Sequence, residues 1–144
     1  MFLSLFLSKR KKLVKKWTKD HVKIVELSHK IISKYSLHDY PSAKKHLQEL
    51  SKVAINHLMV EDIELYKLLK EDKKIDRKTQ KHITEFKESF RTIKMSLIVF
   101  LTKYSNPNVV LDEVFFKSFN EIVKILLERI EFEEKNLYIT LNEK

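Results

Sequence analysis

Not one of the 144 residues is glycine, and only Pro41 and Pro107 are proline. Tight β-turns draw on glycine for their positive-φ positions, so a chain without any is expected to run in long helices joined by short links. Four stretches carry the apolar period of such helices. The first runs from about Arg10 to Tyr35, with an inward stripe of Val14, Trp17, His21, Ile24, Ser28, Ile31 and Tyr35. The second runs from about Pro41 to Leu69, with Leu47, Leu50, Ala54, His57, Glu61, Leu65 and Leu68 facing inward. The third, about Arg77 to Tyr104, presents His82, Phe86, Phe90, Ile93, Leu97, Phe100 and Tyr104, and the fourth, about Asp112 to Leu141, presents Phe119, Ile122, Leu126, Arg129, Glu133 and Leu137. Pro41 suits a first helical position, Asp76 an N-cap, and Ser105-Asn-Pro-Asn108 a stop. Long helices with short links predict an all-α, antiparallel up-down-up-down four-helix bundle over residues 10–144, with residues 1–9 as a basic and apolar lead-in.

One pattern occurs twice. Residues 57–66 begin with His57, continue to Glu61 and Asp62, and close on Leu65-Tyr66; residues 129–138 begin with Arg129, continue to Glu133 and Glu134, and close on Leu137-Tyr138. A residue and its i+4 neighbour share a helix face, so each copy sets a nitrogen-bearing side chain beside a carboxylate. His can ligate a metal; Arg cannot, because it stays protonated in proteins.

The polar interruptions of the stripes fall at similar heights in the antiparallel arrangement. His21, His57, Glu61, Arg129 and Glu133 are expected in one core layer, with Phe86 opposite them on the third helix and His82 one turn nearer the bundle end. An unpaired buried carboxylate costs several kcal/mol, so Glu61 and Glu133 need positive partners. Either a metal ion binds them together with imidazole nitrogens, or Arg129 bridges both through its forked guanidinium while His21 and His57 complete a hydrogen-bonded network.

These residues resemble the hemerythrin-like (HHE) four-helix bundle family across about residues 16–141. Asp20-His21 matches the first-helix element, His57-x-x-x-Glu61-Asp62-x-x-Leu65-Tyr66 the second, and Arg129-x-x-x-Glu133-Glu134-x-x-Leu137-Tyr138 the fourth, with Arg where the family has His. Glu85-Phe86 stands at the third-helix element, with Phe in place of His. Members with a complete set hold a non-haem di-iron centre that binds dioxygen or senses oxygen, nitric oxide or iron. The resemblance implies a ligand set of His21, His57, Glu61 and Glu133, with His82 as a substitute on the third helix and non-haem iron as the cofactor if there is one. Given Phe86 and Arg129, the leading expectation is a non-enzymatic binding or regulatory protein with an Arg-Glu-His core network; the alternative is an iron-binding oxygen or redox sensor with an incomplete ligand set. The fourth-helix run Arg129-Ile-Glu-Phe-Glu-Glu is also similar to the last helix of a bacterial anti-sigma regulator, a helical bundle that works by binding a partner.

Charge points to a further class of partner. The formal net charge is +9, and residues 1–50 carry 12 Lys/Arg against 4 Asp/Glu while the remainder is nearly balanced. Lys9, Arg10, Lys11, Lys12, Lys15, Lys16 and Lys19 follow the apolar run Met1–Leu7, the reverse of the order in a secretory signal. Such a segment suits an anionic membrane surface. Nucleic acid is not expected, since no recognition motif accompanies the charge. The lack of Cys fits a reducing compartment, the cytoplasm. With no phosphate loop, nucleophile–base pair or HExxH motif, no enzyme is expected.

Overall fold

The computed structural model describes residues 2–71 and 74–138, and the side chains among them except those of residues 2–9, 61 and 62. The described chain is all-helical. Helix α1 spans Phe2–Ser36, α2 Tyr40–Asn56, α3 Asp62–Glu71, α4 Arg77–Ser105 and α5 Glu113–Phe132. A five-residue π-helical turn, His57–Glu61, joins α2 to α3, so these make one helical segment. A second, Glu133–Leu137, extends α5. Both lie inside the repeated pattern. The helix therefore starts earlier than Arg10, because nothing in residues 2–9 breaks it. The expected end at Leu141 lies outside the described residues.

Aspartate does at the helix starts what glycine-free links must do without. Asp39, Asp76 and Asp112 each accept a hydrogen bond from a backbone N–H of the first turn, of Ser42, Thr79 and Phe115 at 3.3, 2.7 and 2.9 Å, which satisfies one of the donors a helix leaves open. The end of α1 is closed without glycine too. His38 takes the left-handed conformation, φ 62°, while His38 N–H donates to Tyr35 O at 2.9 Å and Asp39 N–H to Lys34 O at 2.9 Å. This is a Schellman closure with His where Gly is usual. At the end of α4, Lys44 spends its three donors on the carbonyls of Tyr104, Asn106 and Val109, at 2.6, 2.8 and 2.5 Å.

Helix α1 packs along α2 and also against α5, and α2 packs against α4. The core falls into two apolar parts. The larger gathers Ile24, Leu27, Leu50, Leu97, Phe115, Phe119 and Leu126 with their neighbours; the smaller gathers Val14, Trp17, Leu65, Leu69, Ile83, Leu137 and Tyr138. Each fully buried Leu or Phe contributes about 1.5–3 kcal/mol relative to exposure. Between the two parts, among the described residues, sit the buried polar side chains of His21, His57, Arg129 and Glu133. Among the described residues, no helix is long and apolar enough to cross a membrane.

The inward stripe of α1 is as expected, with only Tyr35 half-buried. That of α4 is displaced: His82 and Ile93 are exposed, and Ile83 and Leu101 are buried instead. In α5, Val123 is buried and Ile122 half-buried.

Candidate functional site

The site is a buried layer built by three helical segments. His21 comes from α1, His57 opens the first π-helical turn, and Arg129 and Glu133 come from the last turn of α5 and the start of the second π-helical turn. Glu133 is fully buried, and the other three are at most 4% exposed. The two copies of the repeated pattern thus meet in the core, where His57 Nε2 lies 3.5 Å from Glu133 Oε1.

Both carboxylate oxygens of Glu133 are engaged. Oε1 lies 3.0 Å from His21 Nε2, and Oε2 accepts from Arg129 Nη2 at 3.4 Å. Burial alone would raise this carboxyl. Contacts to His21 and His57 and the positive charge of Arg129 outweigh it and hold Glu133 well below the ordinary carboxylate range, so it stays ionised. Arg129 is fixed from its other side, its guanidinium carbon 4.2 Å from the centre of the Phe90 ring, a cation–π contact in a desolvated place. The third-helix residue facing the layer is accordingly Phe90, one turn beyond the expected Phe86, which is half-buried and stacks on Phe132 with ring centres 3.7 Å apart.

Around His21 the contacts exceed what one nitrogen can serve. Its Nε2 lies 3.0 Å from His57 Nε2, 3.0 Å from Glu133 Oε1 and 3.2 Å from the Tyr138 hydroxyl. An imidazole nitrogen carries one hydrogen or one lone pair, so at most one of these is a full hydrogen bond; the atoms converge on a common point. The remaining nitrogens face acids as well. His21 Nδ1 is 3.3 Å from Glu134 Oε1, and His57 Nδ1 is 3.6 Å from Asp20 Oδ2. Such outer carboxylates orient an imidazole and fix which nitrogen points inward.

That convergence tests whether a metal fits. His21, His57 and Glu133 are the one group of three candidate ligands among the described residues, with ligand atoms within 4.8 Å of one another. Two ligands bound at about 2.1 Å lie about 3.0 Å apart at a right angle and about 3.4 Å apart at a tetrahedral one. The separations of 3.0, 3.0 and 3.5 Å match, and two His with one carboxylate is a common divalent-metal set. The adjoining cavity, lined by His21, His57, Arg129 and Glu133 among others, is about 10 Å³, about one water-sized sphere. A single ion therefore fits the donors among the described residues, while the second oxygen of Glu133 faces Arg129 Nη2 at 3.4 Å.

Of the residues expected in the site, His21, His57, Arg129 and Glu133 are brought together. The side chain of Glu61 lies outside the described residues, and with it the expected bridge from Arg129 to Glu61. His82 is exposed, its ring centre 5.5 Å from that of Phe132, and is not brought to the layer. Tyr138, which closes the second copy of the pattern, also reaches the layer. It is 3% exposed, packs 5.7 Å from Trp17 ring to ring, and its hydroxyl lies 3.2 Å from His21 Nε2. The π-helical turn explains this: it places residues i and i+5 in line, and Tyr138 N–H bonds to Glu133 O, so Tyr138 sits beneath Glu133. Glu134 was readable only as the second acid of the pattern.

No protein-family model, curated protein or solved structure matches this chain, so the site itself carries the functional reading.

Proposed function

We propose that this chain is a non-enzymatic, hemerythrin-like binding or regulatory protein of the cytoplasm, an antiparallel up-down-up-down bundle whose core metal layer is replaced by an Arg-Glu-His network. The observation that carries this is the buried contact of Arg129 Nη2 with Glu133 Oε2 at 3.4 Å. It sets a permanent positive charge beside the one described buried carboxylate of the layer, which a metal would otherwise have to neutralise. The exposed Lys11, Lys12, Lys15, Lys16 and Lys19 suit an anionic membrane surface as partner.

A second reading is favoured by the convergence of His21 Nε2, His57 Nε2 and Glu133 Oε1: a sensor holding one divalent ion on an incomplete ligand set. In that reading Asp20 and Glu134 orient the imidazoles, Tyr138 shields His21, and a bound iron would supply redox sensitivity.

Anaerobic addition of ferrous iron, followed by a thermal melt, separates the two. A ligand that binds only the folded state stabilises it by about 2.7 kcal/mol at a hundred times its Kd. The network reading predicts no shift in the melting temperature. A saturable shift at one ion per chain, lost in His57→Ala, overturns it in favour of the second reading.

A further inference from the structure

A second concavity, distinct from the metal-sized cavity, opens between α3 and α4. Its volume is about 640 Å³, within the range of about 300–1,000 Å³ usual for small-molecule sites. Its walls are cationic. Lys67 and Lys70 line it from α3, Lys87, Arg91 and Lys94 from α4, and Arg129 from the core side, while Glu88 is the single carboxylate among the described lining residues. The spacing is helical on both walls: 67 and 70 are i, i+3, and 87, 91 and 94 follow i, i+4, i+7, so each set is one stripe along a helix face. Stripes that face one another across a bundle are ordinarily apolar and close up. These two hold like charge across a gap.

The concavity also has an apolar side. Ile63 is 66% exposed and lies one turn from Tyr66, whose ring carries the Lys87 ammonium 5.2 Å from its centre. At the floor, Arg129 is nearly fully buried and held against Phe90. Cations lining a concave wall of low dielectric focus a positive potential into it. Several cations distributed along both walls match several negative charges, and the Ile63–Tyr66 surface matches a flat, weakly polar body. No described ion pair neutralises Lys67, Lys70, Arg91 or Lys94.

We infer that the groove between α3 and α4 binds a nucleoside polyphosphate, its phosphates between the Lys67–Lys70 and Lys87–Lys94 stripes and above Arg129, its base against Ile63 and Tyr66. Arg129 lines both this groove and the metal-sized cavity, so the ligand would report to the Glu133 layer through one side chain. The inference does not depend on whether that layer holds a metal.

Calorimetric titration of the full chain with ATP, without added divalent metal, tests this. Adenosine and inorganic tripolyphosphate serve as half-ligands and a single-stranded oligonucleotide as a polyanion. One ATP per chain is expected, with each half-ligand about tenfold weaker or more. Arg91→Glu with Lys94→Glu, and separately Lys67→Glu with Lys70→Glu on the opposite wall, should each weaken ATP by about tenfold or more. Lys11→Glu with Lys12→Glu, on the exposed face of α1, should leave it unchanged. Circular dichroism checks that each variant remains helical, and two walls keep the test decisive if one variant unfolds. Tripolyphosphate binding as tightly as ATP would overturn the nucleoside assignment. Tighter binding of the oligonucleotide, equal loss in the α1 variant, indifference to both groove variants, or no heat at about 1 mM ATP would overturn the site.

Discussion

Arg129 Nη2 lies 3.4 Å from Glu133 Oε2, one helical turn along the same segment, and both side chains are buried. The pair is local in sequence but sits between the two apolar parts of the core. A buried pair of this kind is weak as a source of stability yet costly to break, because the surviving charge is left in a dry place.

Replacing Arg129 by Met should therefore destabilise the fold by about 2–4 kcal/mol in urea denaturation. His21 and His57 still face Glu133, which keeps the loss toward the lower end. Adding Glu133→Gln to that variant should recover part of it, because the stranded charge is gone. A double variant as unstable as the sum of the two single ones would show that the residues do not interact.

Acid should expose the same carboxylate. The folded-state pKa of Glu133 is depressed below its ordinary value of 4.5. The unfolded chain thus takes up the proton first, so the contribution is complete above that value and is lost as pH falls below it. Unfolding free energies compared from pH 7 down to about pH 3 should show wild type losing stability more steeply than Glu133→Gln. Parallel curves would mean that Glu133 is not held ionised in the fold.

The helix positions, the core of α1 and four of the site residues were legible in the sequence, for physical reasons. Val14, Trp17, His21, Ile24 and Ile31 recur at helical spacing on a helix covered from both sides. On α4 the same reading slipped: Ile93 is exposed and Ile83 is buried, because apolar residues at helical spacing can fall on either edge of the stripe and only the packed neighbours decide which edge is covered. The π-helical turns had no sequence signal, so the i, i+5 alignment that brings Tyr138 to His21 was not legible. Arg129 was legible because it falls on the inward stripe of α5 and because its pattern occurs twice; without both it would read as a surface residue.

The left-handed His38 gives a prediction independent of the site. A non-glycine residue pays about 1–2 kcal/mol there. His38→Gly should raise stability by up to about 1 kcal/mol, offset by the loss of the 2.9 Å contact between His38 Nδ1 and the Tyr40 hydroxyl. Thermal melting reads it; a lowered midpoint would mean that this contact matters more than the backbone strain.

The basic start of α1 should float with vesicles containing anionic lipid, not with neutral ones, and release as salt rises, since the Debye length shrinks from about 10 Å at 0.1 M to about 3 Å at 1 M. Removing residues 1–12 should abolish flotation. Retention of the truncated chain would assign the interaction to another surface.

The most direct test of the Arg129–Glu133 network is the metal content of protein purified without chelator, with Arg129→His alongside. Wild type should carry no stoichiometric iron and show no visible charge-transfer band, while Arg129→His should lose stability or gain affinity for ferrous iron. Two irons per wild-type chain, with such a band, would contradict the proposal that Arg129 replaces the metal layer.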